Sequence, residues 1–131
     1  PELTYSDKRK YAAYLVNGNS FSHAGGEWIG GKLRIRTRDL GTYTILKDEE
    51  PPKITPRTIN SSTLSFYISD QLSGINSIEA KVNDEWVLMN YDYKRAYIWS
   101  EKLDENKPFQ GQVVLTVTDN AGNVQQYKTK L

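Results

Sequence analysis

The feature that most constrains this chain is apolar alternation at a period of two residues, repeated in short runs. Leu64, Phe66 and Ile68 alternate with polar or aromatic neighbours, as do Ile78, Ala80 and Val82, and again Val113, Leu115 and Val117. Successive side chains of a strand point to opposite faces, so each run reads as a half-buried strand. Residues 85–91, 96–100 and 124–129 add further strands, and Lys53-Ile54-Thr55 reads as a short edge strand stopped by Pro56. Corners fall at Asn83-Asp84 and Tyr93-Lys94. In 85–91, Trp86 and Leu88 oppose Val87, Met89 and Tyr91, and Trp86 is assigned to the core. About seven short strands at spacings of roughly eight to twelve residues are the signature of an immunoglobulin-like sandwich, here without a cystine. No helix is expected, and the polar stretch 101–107 before Pro108 reads as a loop.

The first fifty residues read as an antiparallel β-meander. Residues 11–16 lead into Asn17-Gly18, a strong hairpin signal, and 19–24 return. Glu27-Trp28-Ile29 meets a turn at Gly30-Gly31. Residues 32–38 alternate as a strand, Asp39-Leu40-Gly41 turns the chain, and 42–47 follow. Leu33, Ile35, Tyr43 and Ile45 are expected to share one face. A lone sheet of this size buries too little, so a missing upstream half, the second module or another copy should cover it. The linker Asp48-Glu49-Glu50-Pro51-Pro52 marks the boundary, because its consecutive prolines cannot donate ladder hydrogen bonds. The expected fold is therefore all-β: a meander, or partial sandwich, over 1–50, then an immunoglobulin-like sandwich over 51–131.

Composition narrows the function. The net charge of +1 does not suit a nucleic-acid partner. No apolar run is long enough to cross a membrane as a helix. Cysteine is absent, which removes disulfides, thiol catalysis and thiolate metal sites. His23 is the sole histidine, so a zinc centre built on several His is not expected. It reads as a surface or packing residue. Paired carboxylates such as Asp104-Glu105 and Glu49-Glu50 lie in polar loops with nothing to face them across a cleft. The chain is thus read as non-enzymatic, without cofactor. It begins at Pro1 and is expected to be a piece of a longer protein.

Three stretches could still do chemistry. Asp119-Asn120-Ala121-Gly122-Asn123 reads as a strand corner, matched by Asp70-Gln71-Leu72-Ser73-Gly74-Ile75. Asp70, Asp119 and Asn120 could instead meet as a calcium site at one end of the sandwich, although calcium wants six to eight oxygens. Lys32, Arg34, Arg36 and Arg38 share one strand face, either solvated or a contact for an acidic partner. Tyr91, Tyr93, Tyr97 and Trp99 crowd one hairpin, as packing pairs or as a platform for sugar rings.

Pro51-Pro52-Lys53-Ile54, the Asp70 corner and the Thr118-Asp119-Asn120-Ala121-Gly122-Asn123 corner resemble bacterial immunoglobulin-like modules of exported proteins. Gly41-Thr42-Tyr43-Thr44-Ile45 before Asp48, with Trp86-Val87-Leu88-Met89-Asn90-Tyr91-Asp92, resembles the region downstream of the catalytic domain in bacterial M23-type, lysostaphin-like zinc peptidases. That resemblance implies a periplasmic, cell-surface or secreted setting, a catalytic domain upstream as partner, and cell-wall glycan as a possible ligand. The His-x-x-x-Asp and His-x-His zinc motifs of that family do not occur here, so no catalytic residue carries over.

Overall fold

The computed structural model describes residues 5–18, 20–29, 31–35, 41–102 and 104–131. Arg36 and Arg38 lie outside the described residues, as does most of the expected 39–41 turn.

The chain opens with a helix the sequence reading did not anticipate, α1 (Tyr5–Lys10). At six residues it is too short to show a helical apolar period. Lys8, Arg9 and Lys10 occupy its last turn, where the helix dipole favours positive charge. Strands β1 (Tyr11–Asn17) and β2 (Ser20–Gly25) form the hairpin expected at Asn17-Gly18. Strands β3 (Glu27–Ile29) and β4 (Lys32–Arg34) form a second, separate hairpin. β5 (Tyr43–Lys47) returns to pair with β1, giving the order β2-β1-β5.

This connectivity corrects the shared face expected of Leu33, Ile35, Tyr43 and Ile45. Leu33 belongs to the β3–β4 hairpin, Tyr43 and Ile45 to the sheet around β1, and Ile45 is 54% exposed. Among the described residues of this module the buried apolar ones are instead Ala12, Ala13 and Tyr14 of the central strand.

The second part holds seven strands: β6 (Lys53–Ile59), β7 (Leu64–Ser69), β8 (Ile75–Val82), β9 (Glu85–Asp92), β10 (Tyr97–Glu101), β11 (Gln112–Asp119) and β12 (Val124–Lys130). Their order is β12-β11-β8-β9-β10-β7-β6, all antiparallel. One layer is β6-β7-β10-β9 and the other β8-β11-β12, the arrangement of a constant-type immunoglobulin sandwich. β9 joins the layers: residues 85–87 pair with β8, and residues 88–92 pair with β10. At the far side β12 approaches β6, so the sheet nearly closes on itself.

The core follows the period-two alternation. Leu64, Phe66 and Ile68 from β7 face Val113, Leu115 and Val117 from β11, with Ala80, Val82 and Ile98 between them. Phe66 meets Tyr127 edge-on, ring centroids 5.6 Å apart. Two expectations change here. β6 continues through Pro56, because an edge strand tolerates a residue without an N–H and the register shifts by a bulge between Pro56 and Thr58. Trp86 is not core but 66% exposed. Both faces of β9 are apolar, so alternation alone does not orient it. The pairing of core Ala80 with Val87 turns Val87 inward and Trp86 outward, where the Lys81 ammonium sits 4.6 Å from its ring centre.

Leu115→Ala should therefore lower unfolding free energy by about 2–5 kcal/mol in urea titrations. Trp86→Ser should stay within about 0.5 kcal/mol of the parent protein.

Candidate functional site

Both corners, each opened by one Asp, lie at the end of the sandwich that meets the first module. The β11–β12 corner closes on Asp119, which is fully buried. Its Oδ1 accepts the amides of Ala121 at 2.9 Å and Asn123 at 2.8 Å, and its Oδ2 accepts Asn123 Nδ2 at 2.9 Å. Gly122 takes φ +85° here, and a Cβ at that position would stand 2.9 Å from Arg9 Nε of α1. The β7–β8 corner is drawn in by Asp70, whose Oδ2 accepts the amides of Gly74 at 2.9 Å and Leu72 at 3.3 Å. Asn120 ties the corners together: its Nδ2 donates to the Ser73 carbonyl at 2.8 Å, and its amide donates to the Gly74 carbonyl at 2.9 Å.

The third carboxylate is Asp48, just after β5, which the sequence reading placed only in the linker. It is 3% exposed. Its Oδ2 accepts the Ser73 amide at 3.0 Å and the Ser73 hydroxyl, and its Oδ1 accepts the Glu50 amide at 3.1 Å. Its backbone is held as well. The Asp48 amide donates to the Lys10 carbonyl at 2.8 Å, and the Asp48 carbonyl accepts Asn123 Nδ2 at 2.9 Å. Lys10 Nζ donates to Asn123 Oδ1. Asn123 thus links α1, the end of β5 and the β11–β12 corner.

Ligand oxygens of Asp48, Asp70 and Asp119 all lie within 4.8 Å of one another. Among the described residues no Lys, Arg or His nitrogen pairs with them; the ion pairs are Lys47–Glu49 and Lys107–Glu85. Burial and the neighbouring Asp48 and Asp119 charges outweigh the amide bonds at Asp70 and push its carboxyl up to about 6. Burial also opposes charge on Asp48, but the hydrogen bonds from the Ser73 hydroxyl, the Ser73 amide and the Glu50 amide prevail and hold it below the ordinary 3.8. Two buried polar atoms here lack partners, Asp70 Oδ1 and the Tyr14 hydroxyl. Burial, then the charges of Asp48, Asp70 and Asp119, push the Tyr14 phenol up to about 12. His23 packs edge-on against Tyr14 at 5.3 Å, and burial lowers its pKa against the opposing pull of Asp48.

The structure therefore brings Asp70 and Asp119 together. It gives Asn120 a different task, bonding the corners, and adds Asp48, Tyr14 and Asn123. The position of Asp48, immediately before Glu49-Glu50-Pro51-Pro52, was visible in the sequence, but its partners at Ser73 and Asn123 were not.

The aromatic hairpin is a separate surface. Tyr97 and Trp99 stack outside the β7–β10 layer at 5.5 Å, and Tyr67, directly opposite on β7, extends the row at 5.2 Å. Tyr97 and Trp99 are half-buried, while Tyr93 at the hairpin tip is 72% exposed. Tyr91 lies on the opposite side of β9, in register with core Ile98, and burial raises its phenol. Arg57 and Arg95 guanidiniums lie 5.4 and 5.5 Å from the Tyr97 ring centre. Arg34 is exposed on the short β4. Comparison with family models, curated proteins and solved structures finds no match.

Asp119→Ala would strip the acceptor from three buried N–H donors, and should cost about 3 kcal/mol or more in unfolding free energy. A pH series in EDTA gives a second test. Asp70 is easier to protonate folded than unfolded, so its contribution is present below the ordinary carboxylate range and lost as pH rises through about 6. Asp48 has the opposite sign, and its contribution is lost as pH falls below 3.8. The melting temperature should peak between these limits, and Asp70→Asn should flatten the high-pH side.

Proposed function

We propose that this chain is a non-catalytic positioning module of an exported bacterial envelope protein, joined in that protein to an M23-type peptidase domain. The observation that carries this reading is the bonding of Asp48 to both corners of the sandwich, through Ser73 and Asn123. These bonds cross the proline boundary and fix the angle between the modules. A spacer must resist bending to hold a neighbouring domain at a set distance. Buried hydrogen bonds between modules supply that resistance better than a free Pro-Pro linker does.

The glycan-binding reading has the Tyr67–Tyr97–Trp99 row in its favour. Against it, guanidiniums flank Tyr97, where a sugar ring would need to stack, and these rings already pack on one another. The same rings serve the positioning reading as a brace on the outer layer.

The chain has no cysteine, so two can be introduced without background. Spin labels at exposed Ser20→Cys and Lys128→Cys should give a narrow distance distribution, and a broad one would refute a rigid joint. Co-sedimentation with purified sacculi separates the rival. No retention at low or moderate salt is expected, whereas retention lost with Tyr97→Ala and Trp99→Ala would move the function to glycan binding.

A further inference from the structure

We propose that Asp48, Asp70 and Asp119 hold a calcium ion at the joint between the two modules. The carboxylates come from three segments: the end of β5, the β7–β8 corner and the β11–β12 corner. Their ligand oxygens fall within 4.8 Å of one another. Oxygens across a calcium ion stand about 5 Å apart, twice a Ca–O distance of about 2.3–2.6 Å. The spacing therefore suits ligands converging on one ion.

Charge calls for it. Two of the three carboxylates are almost wholly buried, and among the described residues no basic side chain contacts the cluster. The nearby Lys10 ammonium is used on the Asn123 amide oxygen instead. Buried carboxylates that repel one another need a cation or a proton.

An independent observation points the same way. Tyr14 is fully buried, and its hydroxyl has no hydrogen-bond partner. A hydroxyl left unbonded in an interior is costly. A water carried in by a cation would give it an acceptor. Asp70 Oδ1 is likewise buried and free, and can accept a cation directly. Asp48 Oδ1 and Asp119 Oδ2 each accept one hydrogen bond and keep a lone pair.

The donor set selects the metal. All the oxygens are hard, which suits calcium or magnesium rather than zinc. The carboxylates are already oriented by backbone amides of irregular corners, a geometry that tolerant calcium accepts and octahedral magnesium does not.

The role of such an ion rests on the positioning reading: it would lock the joint that sets the angle. The test is titration of chelated protein with calcium or magnesium chloride, read by calorimetry and thermal melting. One calcium per chain is expected. At a concentration a hundredfold above Kd the melting temperature should rise by about 10 °C. Asp70→Asn keeps the acceptor for the Leu72 and Gly74 amides, so it should fold, yet bind calcium at least tenfold more weakly. Asp119→Asn should lose binding too, and Asp70→Asn decides if that variant does not fold. No response in the parent protein would overturn the site and leave a shared proton between Asp48 and Asp70. An undiminished response in Asp70→Asn would place the ion elsewhere, and an equal response to magnesium would overturn the choice of metal. A narrow spin-label distribution with no calcium response removes the ion alone. A broad distribution with calcium bound removes the rigid joint alone.

Discussion

Desolvation of carboxylates at the module joint governs the arrangement of this molecule. A buried carboxylate is tolerated only when its oxygens are satisfied. Asp119 meets that demand by curling its own strand corner around itself, which fixes Ala121 and Asn123. Asn123 is then aimed at the Asp48 carbonyl and at Lys10. Asp48 in turn captures Ser73 from the other corner. Folding of the second module thus creates the surface on which the end of the first one docks.

The two ends of the sandwich differ in character. At the joint, polar groups are buried and bonded in a dense network. At the opposite end, a groove of about 910 Å³ lies between Trp86, Leu88, Phe109 and Leu131, with the Lys107–Glu85 ion pair at its rim. Ion pairs as exposed as that one contribute little. The outward aromatic row lies on a third surface, where each ring already has a ring or a guanidinium beside it.

How much of this was legible in the sequence depends on the range of the interaction. The core strands β7 and β11 were, because alternation is local and only one face of each is strongly apolar. The hairpins at Asn17-Gly18 and Asn83-Asp84 were, because turn chemistry is local too; Asn83 and Asp84 adopt φ of 51° and 64°. Trp86 was misplaced because β9 is apolar on both faces and only its register with β8 orients it. Asp70 and Asp119 could be suspected as partners from their matching corners. Asp48 could not, since it lies 25 residues from Ser73 and 75 from Asn123, and nothing near it in the chain signals a buried carboxylate. Tyr14 was hidden likewise among ordinary strand residues.

The way the sheet ends carries a consequence for crowding. β6 presents Pro56, which has no N–H to offer, and a bulge beside it, while β12 at the other margin carries Lys128 and Lys130 and lies close to β6. Unpaired strand margins are where one β-protein recruits another, and both margins here are blunted. Copies of the second module packed shoulder to shoulder along these two margins would therefore not zip into a continuous ribbon.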